Sequence, residues 1–120
     1  SPGLLALVAA KAAYEHGDEW LRQQNAYLQA NRDYLYAQLP SKLPGVYWSK
    51  PEATFLAWLD FRKTAVAGDY QNYFIEKAKV ALNDGIPFGE EGNGFLRMNF
   101  GCTRATLDQA LERMSAVMPA

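Results

Sequence analysis

The chain has 120 residues, enough for one domain with a sizeable core and too few for two. Hydrophobic residues make up 49% of it and charged residues 21%, and the formal net charge is −1. Nucleic acid and anionic membrane surfaces are therefore not expected as partners, since both call for a basic face. One cysteine, Cys102, excludes an internal disulfide, and nothing in the sequence requires an oxidising compartment.

The longest apolar run, LLALVAA from Leu4, is broken by Lys11 and is far shorter than the roughly 20 residues that cross a bilayer. It lacks an initiator methionine and a basic flank, so it does not read as a signal peptide, and the chain is expected to begin partway through a longer protein. Residues 3 to 39 read as helix with one interruption. Gly17 is expected at a left-handed helix end, with Asp18 capping the next helix. That second helix carries Trp20, Leu21, Tyr27, Leu28, Tyr34 and Leu35 as pairs seven residues apart, with Gln24 and Asn31 inside the stripe. The two amides read as buried groups bonded to backbone, or else as parts of a site. Pro40, Pro44 and Gly45 are expected to end the helix.

A short strand is expected over Val46–Ser49 and a longer one over 53–61, ATFLAWLDF, covered at least in part on both faces. Gly68-Asp69 opens a third helix. Val80–Leu82 and Phe95–Phe100 read as strands around an Asn83-Asp84-Gly85 turn. Thr106 and Gln109 have capping-box spacing ahead of a final stripe of Leu107, Ala110, Leu111, Met114 and Met118. The order predicts an α/β (α+β sandwich) domain over residues 1–120. It should hold a small mixed or antiparallel sheet of about four short strands, packed by helices and preceded by a long interrupted helix.

Most site signatures are missing. One His and one Cys do not build a four-ligand zinc site, and no metal site is expected. The run FGEEGNG precedes a strand rather than a helix, so it is not a phosphate cradle. Glu90 and Glu91 are adjacent on a loop and make a poor acid/base pair, and His16 suits the end of a helix. Arg97 is the exception. In GFLRMNFG, period-two alternation puts Leu96, Met98 and Phe100 on one face and Phe95, Arg97 and Asn99 on the other. A guanidinium on a half-buried strand needs an anion, and its fork matches a carboxylate. That anion is either a small ligand or an internal partner, Asp60 or Glu52.

Three stretches, AAYEHGDEWLRQQNAYLQANRDYL, PEATFLAWLDFR and VALNDGIPFGEEGNGFLRMNFGCTRATLDQAL, cover nearly the whole chain. Together they resemble the C-terminal small domain of fold-type I pyridoxal-phosphate enzymes, the class I/II aminotransferase superfamily, and within it the cystathionine β-lyase (C–S lyase) group. The resemblance implies that Arg97 grips the α-carboxylate of an amino-acid substrate, with Asn99, Phe88 and Gly89 at the pocket rim. It implies pyridoxal 5'-phosphate as cofactor of the full-length enzyme, held by a preceding large domain from which residues 1–16 lead out. It also implies a cytoplasmic homodimer. No lysine here (Lys11, Lys42, Lys50, Lys63, Lys77, Lys79) matches the family's Schiff-base motif, so catalytic and cofactor-binding residues are expected outside this chain. The same domain of an aminotransferase, or a non-catalytic α/β binding module, are the alternative readings. Asn83-Asp84 stands where a proline is common in the family, and Thr103 departs from a usual C-P-R.

Overall fold

A computed structural model describes residues 2–120. Two helices lead the chain, α1 (Leu4–His16) and α2 (Asp18–Lys42). They are followed by β1 (Leu56–Asp60), α3 (Tyr70–Ala78), β2 (Asn83–Asp84), β3 (Phe95–Asn99) and α4 (Arg104–Ser115). The three strands form one antiparallel sheet in the order β1-β3-β2, so β3 is central and paired on both sides. The mixed α/β class is as expected. The strand anticipated near Val46 is a single bridge, Tyr47 to Asp60, and pairing after α3 begins at Asn83 rather than Val80.

The helices close one face of the sheet. Ala57 and Leu59 of β1 and Leu96 and Met98 of β3 point into a core with Leu35, Leu39, Phe61, Phe74, Leu107, Leu111 and Met114. Each such aliphatic or aromatic side chain contributes about 1.5–3 kcal/mol by leaving water. The other face of β1 is covered only in part, as expected: Trp58 keeps 37% of its surface.

Helix ends depart from the sequence rules in three places. Gly17 is right-handed (φ −90°, ψ −1°), and its N–H reaches Ala13 O at 2.8 Å, so α1 passes almost directly into α2. Pro40 lies inside α2, in its last turn, and the helix runs on to Lys42, which pairs with Glu112 of α4. Helix α4 is capped by Thr103, whose hydroxyl accepts from Thr106 N–H at 3.3 Å, one turn earlier than the capping-box spacing suggests. Asp69 caps α3 as expected, accepting from Asn72 N–H at 3.0 Å. The glycine-rich run after β2 closes on itself. Gly85 and Gly92 lie back to back, and a Cβ on either would sit 2.2 or 2.0 Å from the other's carbonyl oxygen.

A polar seam joins α2 to the corner between β3 and α4. Asn31, fully buried, donates to Phe100 O (3.1 Å) and Cys102 O (2.8 Å) and accepts from Arg104 Nε (3.0 Å). Tyr27 and Tyr34, four residues before and three after, lie along the same helical face. The Tyr27 hydroxyl accepts from Arg104 N–H, and Tyr34 donates to Asp108 while the Arg104 guanidinium lies 4.1 Å from its ring centroid. The backbone-bonded reading of Asn31 therefore holds. Gln24 instead lines a surface groove.

The apolar stripe of α2 is buried only in its second half. Trp20, Leu21 and Tyr27 are exposed, and α1 has no buried residue, with Leu4 and Leu5 at 76% and 84% exposure. The radius of gyration is 17.2 Å, where a compact domain of this length has about 13.5 Å.

Replacing Asn31 by Ala orphans two carbonyls and the Arg104 donor, and is expected to lower the unfolding free energy by about 2–4 kcal/mol in urea denaturation. The bare apolar surface of α1 is expected to drive concentration-dependent self-association of the 120-residue chain, seen by sedimentation and reduced by Leu4→Glu with Leu5→Glu.

Candidate functional site

The open face of the sheet is a row of aromatic rings with a cation at each end. Register puts Trp58 of β1 directly opposite Arg97 of β3, and Asp60 opposite Phe95. Phe95 stacks on Trp58 (centroids 5.4 Å apart, planes 15° apart), and Phe88 meets Trp58 edge-on at 5.7 Å. The Arg62 guanidinium lies 4.7 Å from the Phe95 centroid, and that of Arg97 lies 4.6 Å from the Phe88 centroid. Such contacts orient a guanidinium without neutralising it.

The two cations differ in what balances them. Arg62 clasps Asp60 bidentately, Nε to Oδ1 at 2.9 Å and Nη2 to Oδ2 at 2.8 Å, and its backbone N–H also donates to Oδ1. That hydrogen bonding holds the Asp60 carboxyl below the usual carboxylate range. Arg97 has no ion pair among the described residues. Asp60, proposed from spacing as its partner, is occupied by Arg62. The diagonal between Asp60 and Arg97 is filled by the Trp58–Phe95 stack. Glu52, the other candidate, sits in the loop that lines the groove beside α2.

What Arg97 does touch is neutral. Its Nη2 donates to Asn83 Oδ1 at 3.1 Å, from the residue paired directly across β2–β3. Its Nε is shut off from solvent and has no acceptor among the described residues. A cleft of about 310 Å³ adjoins this edge of β3, lined by Asn83, Arg97, Asn99, Thr106, Gln109 and Arg113 among others, with no carboxylate on its walls. A larger groove of about 750 Å³ runs between α2 and the 51–55 loop, against Trp20, Leu28 and Phe55, and does not include Arg97. Thr54 in that loop has φ 66°, a conformation that β-branched residues rarely adopt.

The other expected rim residues are brought near in different ways. Phe88 ends a 3-10 turn (Ile86–Phe88) and packs its ring under the Arg97 guanidinium, while Gly89 caps that turn at φ 133°. Asn99 shares the strand face with Arg97, but its Oδ1 accepts from Gly101 N–H at 2.8 Å, which shapes the corner. Sequence reasoning passed over Asn83, read only as a turn residue, and Trp58, read only as strand. The alternation around Arg97 identified its strand mates but carried no sign of its cross-strand neighbours.

The chain matches the family described as aminotransferase class I and II over residues 1–114, and it belongs to that family. Within it, the chain is 40% identical over 112 residues to Protein MalY of Escherichia coli K12, covering 92% of this chain and 29% of that protein. It is 38% identical over 114 residues to the cystathionine beta-lyase PatB of Bacillus subtilis 168, covering 94% and 30%. Among solved structures, a putative PLP-dependent beta-cystathionase from Corynebacterium diphtheriae superposes with a TM-score of 0.92 at 46% identity, over 97% of this chain and 31% of that one. The chain thus spans about 30% of the length of the curated relatives it matches.

The described residues do not themselves fit pyridoxal phosphate. Lys11, Lys42 and Lys50 pair with Glu15, Glu112 and Asp33. Lys77 lies over the Tyr73 ring, Lys79 donates to Glu76 O, and Lys63 is exposed beyond β1. Of these only Lys79 lines the cleft, and its ammonium is turned to the Glu76 carbonyl; among the described residues no group of metal-ligating side chains occurs. Among the described residues no helix is long and apolar enough to cross a membrane.

Asp60 is stabilised in the fold only while ionised, so its contribution exists above the unfolded carboxylate range near pH 4 and is lost as pH falls through its lower folded value. Arg62→Ala is expected to cost under about 1 kcal/mol at pH 6, since Arg62 is largely exposed, and the difference from wild type should shrink in urea titrations as the pH falls below the usual carboxylate range.

Proposed function

We propose that this chain is the substrate-recognition domain of a longer pyridoxal-phosphate-dependent C–S β-lyase of the cystathionine β-lyase kind. In that enzyme Arg97 binds the α-carboxylate of an amino-acid substrate. The observation that carries the reading is a guanidinium held, among the described residues, by neutral contacts, with Asp60, the acid on its own face of β1, bound by Arg62. Family membership supplies the chemistry to which such a group belongs.

The lyase reading is favoured over an aminotransferase by relatives near 40% identity that carry lyase names. Arg97 would act identically in either, because it fixes the substrate and takes no part in bond breaking. A two-point grip on the carboxylate restricts how the α-carbon presents its bonds, which is a positioning effect. The Schiff-base lysine and the cofactor-binding groups then belong to the remainder of the longer enzyme, a homodimer of the cytoplasm in this reading.

In that enzyme, Arg97→Ala is expected to raise KM for amino-acid substrates and to cost about 2–4 kcal/mol in kcat/KM. Arg97→Lys should recover only part of the loss, since an ammonium does not form the parallel pair of bonds. Unchanged steady-state kinetics in Arg97→Ala would remove the proposed role.

A further inference from the structure

A guanidinium on a long stem binds a carboxylate bidentately only when its plane and its rotation within that plane are both set. At Arg97 the two constraints come from different residues. The Phe88 ring, its centroid 4.6 Å from the guanidinium carbon, limits how the plane can tilt. Asn83 Oδ1, accepting from Nη2 at 3.1 Å, fixes the rotation. Asn83 is the direct cross-strand partner of Arg97, so its Cβ lies within the short span of such pairs.

The placement separates an amide from an acid one residue away. Asn83 and Asp84 are the whole of β2, and strand alternation turns their side chains to opposite faces. The neutral amide meets the guanidinium. The Asp84 carboxylate is turned aside, its Oδ1 3.4 Å from the Ile86 N–H that donates to it. A shift of one residue would bring the acid onto Arg97 and fill its fork from within.

We infer that Asn83 is a positioning residue: a neutral acceptor that orients Arg97 for an external carboxylate without competing for its charge. The inference rests on the carboxylate-binding role of Arg97 and goes beyond it by naming what holds that fork ready.

The test uses the full-length holoenzyme containing this chain, with Asn83→Asp, Asn83→Ala and Arg97→Ala made singly and in combination. Asn83→Asp places a permanent carboxylate on the guanidinium and is expected to raise KM for amino-acid substrates about tenfold or more, with kcat held within about twofold. Asn83→Ala, which only frees the rotation, should raise KM by a smaller factor, about two- to fivefold. In the Arg97→Ala background neither change should add to the KM defect. Asn83 is exposed at the end of a two-residue strand, so folding is expected to survive, and thermal melts of each variant check this.

The inference is overturned if Asn83→Asp leaves KM unchanged while Arg97→Ala raises it. It is overturned equally if the Asn83 effects persist undiminished without Arg97, the mark of a merely structural role. If Arg97→Ala itself leaves KM unchanged, the carboxylate-binding reading falls first and the inference with it.

Discussion

Arg97 carries a full charge that the described residues leave without a counterion, and the arrangement around it keeps it so. The only carboxylate on its face of β1 is Asp60, and Arg62 takes both oxygens of that group. Between Asp60 and Arg97 stands the Trp58–Phe95 stack, which leaves no path for the two to approach along the diagonal of the strand pair. On the other side, β2 offers an amide and withdraws an acid. A half-buried guanidinium supported only by an aromatic face and a neutral acceptor remains able to gain from a carboxylate arriving from outside.

The strand that carries it is correspondingly well anchored. Central β3 is paired on both sides, its inner face is packed by three helices, and its end is pinned to α2 through Asn31. The domain is two-sided. One sheet face is closed by the core, while the other, with α1 and the first half of α2, presents aromatic and aliphatic surface to solvent.

Period-two alternation sorted Leu96, Met98 and Phe100 from Arg97 correctly because a strand with one packed face leaves no other choice. Asp69 announced its helix because a cap acts on neighbouring backbone. Pro40 misled because its ring falls in the last turn of α2, where one lost hydrogen bond is tolerated and the Lys42–Glu112 pair holds the end. Thr103, not Thr106, caps α4. The stripe at Trp20 and Leu21 read as buried because periodicity reports an apolar face, not what covers it. The availability of Arg97 was not legible at all. It depends on Arg62 claiming Asp60, and on which of Asn83 and Asp84 faces the guanidinium, and both are matters of register.

The most direct test of the account compares an amino-acid ligand with the amine that lacks its carboxylate, each titrated as an inhibitor against the full-length enzyme and its Arg97→Ala variant. The wild type is expected to prefer the amino acid by about 30-fold or more, and the variant to lose most of this preference while binding the amine as before. An undiminished preference in the variant would contradict it, because the acid group would then be held by something other than Arg97.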